Sequence, residues 1–119
     1  MKTTLRFARP PSVNNLFATN WSTKRRQPSK AYEKWQASAA TELMIQRPFP
    51  TYVDPVRVEY RIQPPAQTAD VCNYEKAISD LLVYMRVLQD DSLIHEARIL
   101  WDDGVPGVLA TIEPLGAAS

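Results

Sequence analysis

The stretch VRVEYRIQ, residues 56–63, constrains the fold more strongly than any other part of the chain. Its apolar and polar residues alternate with a period of two, which is typical of a β-strand that buries one face. The apolar positions are Val56, Val58, Tyr60 and Ile62. Pro64 and Pro65 end the strand, because proline lacks the N–H group that a sheet requires. A fold for this chain must therefore supply a layer that covers the apolar face.

Two segments with helical spacing lie on either side of this strand. Ser29 is a typical N-cap residue, and the helix that it starts is predicted to end before Pro48. The apolar residues of this first helix are Tyr32, Trp35, Ala39 and Leu43. The second helix is predicted to begin near Asn73. Its apolar stripe consists of Tyr74, Ala77, Ile78, Leu81 and Met85.

Three further stretches have the composition of strands, namely TTLRFAR, IHEARILW and VLATIE. The turn DDGVPG separates the last two, and we expect a hairpin between them. The polar, basic stretch TNWSTKRRQPSK is expected to be a mobile loop. The predicted order is β-α-β-α-β-β. It indicates a small mixed α/β (α+β) fold, with a mixed sheet packed by two helices in a single domain over residues 1–119.

Cysteine usage and hydropathy favour a soluble intracellular protein. The single cysteine, Cys72, has no partner for an internal disulfide, which fits a reducing compartment. No apolar run approaches the roughly 20 residues that span a bilayer, and the N-terminal sequence lacks the apolar stretch of a signal peptide. We therefore expect a cytoplasmic protein without a membrane partner.

The charge is unevenly distributed, although the formal net charge is only +1. Residues 1–32 contain seven lysines and arginines and no acidic residue, whereas residues 33–119 contain seven basic and thirteen acidic residues. A basic segment joined to an acidic body suits a protein that binds a polyanion and uses its carboxylates elsewhere. A flexible, solvated N-terminal arm explains the same pattern.

The stretch ADVCNYEKAISD carries an unusual set of polar side chains at the start of the second helix. At 100° per residue, Asn73, Lys76 and Asp80 fall within about 60° of one another, away from the apolar stripe. Lys76 and Asp80 can form an ordinary ion pair, and Asp70 or Asn73 can be a helix cap. On this stretch alone, a structural role and a catalytic role both stay open.

Three motifs taken together resemble the RusA family of Holliday junction resolvases. They are PPSVNN near the N-terminus, D-x-C-N-x-x-K-x-x-x-D from Asp70 to Asp80, and LQDDSLI, which contains Asp90 and Asp91. The family pattern has PPS-x-N, D-x-D-N-x-x-K-x-x-x-D and a DD pair before a strand, in the same order. The resemblance extends over nearly the whole chain.

The resemblance implies a homodimeric endodeoxyribonuclease of bacterial or phage origin that uses Mg²⁺, with Mn²⁺ as a substitute, to cut branched DNA. Its implied role is the symmetric nicking of four-way junctions in recombination and repair. By match to the motif, Asp70 and Asp91 are metal-binding and catalytic carboxylates, and Lys76 is a catalytic or phosphate-binding cation. Asp80 is a further candidate metal ligand, and the role of Asp90 stays open.

Cys72 departs from the family pattern, because it stands where a second aspartate is expected. Magnesium prefers hard oxygen ligands and binds a thiolate poorly. Unless a water, Asp80 or Asp90 compensates, a ligand is lost. The alternative function is therefore a junction-binding protein with weak or no cleavage, and a third hypothesis is an interaction domain unrelated to DNA. Cys72 can equally be a small buried thiol.

The N-terminal cations are the candidates for binding DNA phosphates, and Trp21 is a candidate for stacking on an unpaired base or anchoring its loop. These cations are Lys24, Arg25, Arg26, Lys30, Arg6 and Arg9. His95, on a predicted strand, is expected to be a hydrogen-bonded structural residue and not a base.

Asp70 and Asp91 flank the second helix, so their meeting depends on where that helix ends. A helix that ends near Met85 spans about 18 Å. The seven residues that follow reach back about 23 Å when extended. The two carboxylates can therefore meet if the chain reverses direction. A helix continuing through Leu88 would leave only a partner subunit to close the gap.

Overall fold

The predicted strand at residues 56–62 lies inside a four-stranded mixed sheet in the computed structural model. The structure describes residues 2–11, 17–20, 25–66 and 69–116, with the backbone alone for 17–20 and 25–28. The strands and helices, in chain order, are β1 Thr3–Phe7, β2 Phe17–Asn20, β3 Arg25–Pro28, α1 Lys30–Ile45, β4 Val56–Ile62, α2 Glu75–Tyr84, β5 Ile94–Trp101 and β6 Val108–Pro114. Short 3₁₀ turns at Val71–Tyr74 and Asp91–Leu93 precede α2 and β5.

The observed architecture confirms the predicted fold class. The main sheet has the order β1-β6-β4-β5, in which β4 runs parallel to β5 and antiparallel to β6. Both helices have the predicted apolar stripes buried, and Ser29 caps α1 by accepting a hydrogen bond from the Tyr32 backbone N–H at 3.1 Å. Neither helix of the described ranges is long and apolar enough to cross a membrane. The fold is therefore a small compact α+β domain.

The expected hairpin between the last two strands is wrong, because β4 lies between β5 and β6. The turn at residues 102–107 instead passes over the end of β4. The Asp102 N–H donates to the Ile62 carbonyl at 2.9 Å, and the Gln63 N–H donates to the Gly107 carbonyl at 2.8 Å. Gly107 has a φ of 73°, and a Cβ there would lie 2.4 Å from the Phe7 carbonyl oxygen. The turn residues predict a reversal of direction, but they do not decide which strands pair.

The expectation of a loop at residues 19–30 is also wrong for its described part. Strands β2 and β3 form a two-stranded antiparallel hairpin, in which Asn20 pairs with Arg25. Strands pair through their backbones, so a strand can form without alternating apolar and polar residues. Arg25–Pro28 is such a strand, and its sequence therefore does not predict it. Trp21 and Lys24, together with most of PPSVNN, lie outside the described residues.

The two faces of the main sheet differ in chemistry. The inward face carries the buried residues of β1, β4 and β6, which pack with α1 and α2 in one core. The other face carries ion pairs across the strands. Arg57 contacts Glu96 at 2.6 Å and Glu113 at 3.3 Å, and these bonds raise its pKa. Arg98 contacts Glu59 at 3.3 Å. This outer face is therefore charged but largely self-neutralised.

The two edges of the main sheet also differ. The edge strand β1 is closed by α1, since the Gln46 side chain donates to the Arg6 carbonyl at 2.6 Å and accepts from the Arg6 N–H at 2.8 Å. Glu42 accepts from the Ala8 N–H at 3.0 Å. At the opposite edge, β5 has no strand partner on its outer side among the described residues, and its residues 95–98 are exposed. The sheet therefore has one blocked edge and one open edge.

Helix α2 ends in a Schellman motif with an arginine at the glycine position. The Val87 N–H donates to the Leu82 carbonyl at 2.8 Å and the Arg86 N–H donates to the Val83 carbonyl at 3.1 Å. Arg86 has a φ of 60°, in the left-handed region that glycine adopts without cost. A side chain there costs about 1–2 kcal/mol relative to the right-handed conformation.

Replacing Arg86 with glycine should therefore raise the free energy of unfolding by about 1 kcal/mol, because it removes the Cβ from a left-handed position. Urea denaturation of the wild type and the Arg86→Gly variant measures this change. Arg47→Gly is the matched control, since Arg47 is exposed and its φ is not positive. A lower midpoint for Arg86→Gly than for the wild type would contradict the assignment of strain.

Candidate active site

Asp70 is exposed at the start of the 3₁₀ turn that leads into α2. Its backbone carbonyl accepts from the Asn73 N–H at 3.1 Å, but its carboxylate makes no cap hydrogen bond. Asn73 lies inside the turn and not at a cap position. Asp70 therefore occupies the N-cap position of the turn but makes no side-chain cap bond, and its side chain is exposed. The alternative of a helix cap is wrong for Asn73. Cys72, two residues later, is exposed as well, so it is not a buried packing thiol.

Lys76 and Asp80 form the ion pair predicted from their spacing. The Lys76 Nζ lies 3.2 Å from the Asp80 carboxylate, and both side chains are partly exposed. Tyr32 of α1 lies close enough to Lys76 and Asp80 for their charges to change its pKa. Burial chiefly raises the pKa of Tyr32, Asp80 raises it further, and Lys76 acts in the opposite direction. Exposed pairs of this kind contribute about 0.3–0.5 kcal/mol, so an incoming anion can displace Asp80 from Lys76 at small cost.

A hydrogen-bonded chain behind this pair fixes the first turn of α2 to the sheet. Tyr60 and Ser79 are both buried, with 2.9 Å between their hydroxyl oxygens. The Ser79 hydroxyl donates to the Glu75 carboxylate at 2.6 Å. Burial raises the pKa of Tyr60 far above its ordinary value, so its hydroxyl stays protonated. Sequence reasoning missed this chain; the only local signal was Glu75 and Ser79 at i,i+4 spacing.

The two aspartates before β5 have different roles. Asp90 caps the 3₁₀ turn, because its carboxylate accepts from the Ser92 backbone N–H at 3.0 Å. The pKa of Asp90 is lowered by hydrogen bonds from Ser92, first the side chain and then the backbone. Asp91 is exposed, and its carboxylate makes no hydrogen bond to the described residues. Of the acidic pair, Asp91 is therefore the carboxylate available for chemistry.

Within one chain, Asp70 and Asp91 lie toward opposite ends of β5. Asp91 comes shortly before the first residue of that strand, whereas the Tyr74 ring contacts Trp101, its last residue, at 5.5 Å between ring centroids. Seven steps along a strand separate these ends by about 23 Å. Helix α2 does end before Met85 as expected, but the returning chain enters β5 at the far end of the sheet.

Among the described residues of one chain, the acidic side chains do not converge on a metal site. In the part of the chain that the structure describes, no group of three or more His, Cys, Asp or Glu side chains is arranged to hold a metal ion. Asp80 is paired with Lys76, and Cys72 offers sulfur and not oxygen. The described residues of a single chain therefore do not supply the cluster of carboxylates that the resemblance implies for Mg²⁺.

The predicted DNA-binding cations are spread over the N-terminal part of the fold. Arg6 is exposed on β1, and Lys30 is exposed at the first residue of α1. Arg9 donates to the Gln63 carbonyl at 2.8 Å, which fixes its side chain beside the end of β4. Arg25 and Arg26 lie on β3. Basic residues therefore lie on β1, β3 and α1. Among the described residues, no contact joins these cations into one cluster.

His95 is exposed on the open edge strand and makes no hydrogen bond to the described residues. The expectation of a hydrogen-bonded structural histidine is therefore wrong. His95 lies on a strand at the edge of the sheet, where no second strand flanks it on the outer side to offer a hydrogen-bonding partner among the described residues.

Comparison with known proteins gives one family match. A family model described as endodeoxyribonuclease RusA matches residues 8–113 of the 119-residue chain. No curated protein matches the chain. The matched range includes β2, β3, both helices and the whole acidic segment from Asp70 to Asp91.

Proposed function

The chain belongs to the RusA family of endodeoxyribonucleases, and we propose that it resolves Holliday junctions by paired symmetric nicks as a homodimer. The observation that carries the proposal is the family match over residues 8–113. We propose Asp70, Lys76 and Asp91 as the catalytic residues, because their spacing in the sequence resembles the family motif. Membership of this family implies that the substrate is branched DNA and that the protein acts in DNA recombination. We further propose that residues 1–119 act as one domain inside the cell, in recombination and repair.

The described residues of one chain alone do not form a binding site for a divalent cation. We propose that Mg²⁺, or Mn²⁺ in its place, binds only where Asp70 of one copy meets Asp91 of a second copy. One or two carboxylates are enough to hold magnesium when waters and substrate phosphates complete its shell. Asp80 is a candidate for a further ligand, after Lys76 has turned toward the DNA.

The open edge of the sheet supports this assembly. If two β5 strands pair antiparallel about a two-fold axis, the start of each strand lies beside the end of the other. Asp91 comes shortly before the start of β5, and Asp70 lies near its end. The pairing would therefore bring Asp91 of one copy toward Asp70 of the other, twice over. Two identical sites suit a four-way junction, which needs two symmetric cuts.

The chain's own cations have separate roles in the proposal. Lys76 is exposed in the first turn of α2 and can neutralise the phosphate under attack, where developing negative charge is greatest. The cations of β1, β3 and α1 hold the DNA backbone. Each phosphate that they neutralise adds about 0.9 to the slope of log affinity against log salt.

A second candidate function rests on Cys72, which is exposed at the position of an expected metal ligand. A thiol there weakens magnesium binding, so the protein would bind junctions and cut them poorly or not at all. Tight junction binding without cleavage in Mg²⁺ or Mn²⁺ distinguishes this candidate from the resolvase.

The proposed activity has a direct test. The purified protein in Mg²⁺ should nick a synthetic four-way junction in opposed strands at symmetric positions, and a chelator should stop the reaction. Asp91→Asn should slow cleavage by more than about 100-fold, because even partners outside the ligand shell are worth about 10- to 100-fold. Single-turnover gel assays measure both rates.

Asp103→Asn is the matched control, since Asp103 is an exposed aspartate in the turn between β5 and β6. It should cut at the wild-type rate. Equal cleavage by wild type and Asp91→Asn would point to a contaminating nuclease and refute the assignment.

A further inference from the structure

A groove of about 350 Å³ lies at the C-terminal end of α2. Its lining includes Val53 and Tyr84, which are two of the most exposed large apolar residues in the described part of the chain, at 57% and 63%. Leu88 and Gln89 line it as well. Two large, exposed apolar side chains in the lining of one concave groove make it a candidate binding surface.

The walls of the groove are held rigidly. The Thr51 hydroxyl donates to the Arg86 carbonyl at 2.6 Å. The Tyr52 N–H donates to the Val87 carbonyl at 2.8 Å, and the Gln89 N–H donates to the Tyr52 carbonyl at 3.0 Å. These bonds fix the segment after α2 against the segment before β4. A ligand therefore meets a preformed surface and loses little affinity to ordering it.

The charge of the groove indicates the class of its ligand. Its lining contains one charged side chain, Arg86, and no acidic residue. Arg86 keeps its left-handed backbone where glycine would be more stable, and strained residues that persist are concentrated at functional sites. A groove lined by both a tyrosine and an arginine suits a ligand with a flat ring and a negative group, which is the chemistry of a nucleotide.

The groove also lies next to the proposed reacting carboxylate. Gln89 lines it, and the chain continues directly through Asp90 to Asp91. We propose that this groove binds a nucleotide of the branched DNA close to the cleaved phosphate. The base stacks on Tyr84, and a phosphate pairs with Arg86. This inference rests on the proposed function, because it deepens how that site holds its DNA.

Junction binding in chelator, where no cleavage can occur, tests the groove. Fluorescence anisotropy with a labelled four-way junction compares wild type, Tyr84→Ala, Tyr84→Phe, Arg86→Gly and the control Arg98→Ala. Tyr84→Ala should weaken binding by about 5- to 150-fold, the range for loss of one stacked base. Tyr84→Phe keeps the ring and should bind like the wild type. Arg98 is an exposed arginine on the outer face of the sheet, and its variant should also be unchanged.

Arg86→Gly separates a role in DNA binding from a role in folding. Glycine relieves the backbone, so the variant should unfold at a higher temperature than the wild type. It should nevertheless bind the junction more weakly, with the slope of log affinity against log salt reduced by about 0.9. A purely structural arginine would not give this combination.

Two results would overturn the inference while leaving the proposed function intact. In the first, Tyr84→Ala and Arg86→Gly bind the junction with wild-type affinity and salt slope. In the second, sedimentation shows that Tyr84→Ala has lost its dimer, which would make the groove a subunit interface. Absence of junction binding by the wild type itself would overturn both the groove and the proposed function.

Discussion

Mixing the Asp70→Asn and Asp91→Asn proteins should restore junction cleavage that neither protein has alone. If β5 pairs antiparallel with a second β5, each site takes Asp70 from one copy and Asp91 from the other. A mixed dimer then contains one intact site and one site that lacks both carboxylates. Random exchange of subunits makes half of the dimers mixed, so about a quarter of the wild-type sites should return.

The products of the mixture carry a second signature. A mixed dimer has one working site, so it should leave single nicks and not the paired nicks of the wild type. The control is a chain carrying both substitutions, mixed with either single variant, because no dimer in that mixture has an intact site. An inactive mixture in which a tag on one variant co-purifies the other, which confirms mixed dimers, would show that Asp70 and Asp91 act within one chain.

Restoring a carboxylate at position 72 should raise both magnesium affinity and cleavage by about 10- to 100-fold or more. Cys72 is exposed two residues after Asp70, so an aspartate there needs no repacking of the core. A carboxylate is a hard ligand for magnesium, whereas a thiol binds this ion poorly. Calorimetric titration with Mg²⁺ and single-turnover cleavage across a Mg²⁺ series measure the two effects.

Cys72→Ser is the matched control, since it keeps the size of the side chain and adds no charge. It should behave like the wild type in both assays. An inactive wild type with an active Cys72→Asp variant would favour the junction-binding protein over the resolvase. Equal metal affinity and cleavage in wild type and Cys72→Asp would show that position 72 does not contact the metal.

The elements that carry a local signal were predictable from the sequence. Strand β4 alternates strictly, and α2 has an apolar stripe that ends where the chain leaves the helix. The ion pair of Lys76 and Asp80 follows from i,i+4 spacing alone. In each case the residues that decide the structure are close together in the sequence.

The features that depend on distant partners were not predictable. Nothing in the turn at residues 102–107 reveals that β4 separates β5 from β6, because strand order is set by contacts far apart in the chain. The bond from Tyr60 to Ser79 likewise joins two elements whose packing is known only from the fold. The left-handed backbone of Arg86 at the end of α2 was not predicted, because this conformation is usually indicated by a glycine and the residue here is an arginine.

The sequence proposes a set of candidate site residues but not their arrangement. Motif spacing singles out Asp70 and Asp91 as candidates, whereas their positions toward opposite ends of β5 follow from the sheet topology. Spacing alone also could not distinguish Asp90, which is engaged with Ser92, from its exposed neighbour.

The hydrogen bonds that Gln46 and Glu42 make to Arg6 and Ala8 occupy part of the outer edge of β1. A subunit with two unpaired sheet edges could pair with a further copy at each edge, and such assembly could continue into a fibre. If two β5 strands do pair, the hydrogen bonds from the C-terminal part of α1 to Arg6 and Ala8 leave β1 poorly suited to pairing with a further copy. We therefore expect assembly to stop at two copies, which sedimentation of the protein at increasing concentration would check.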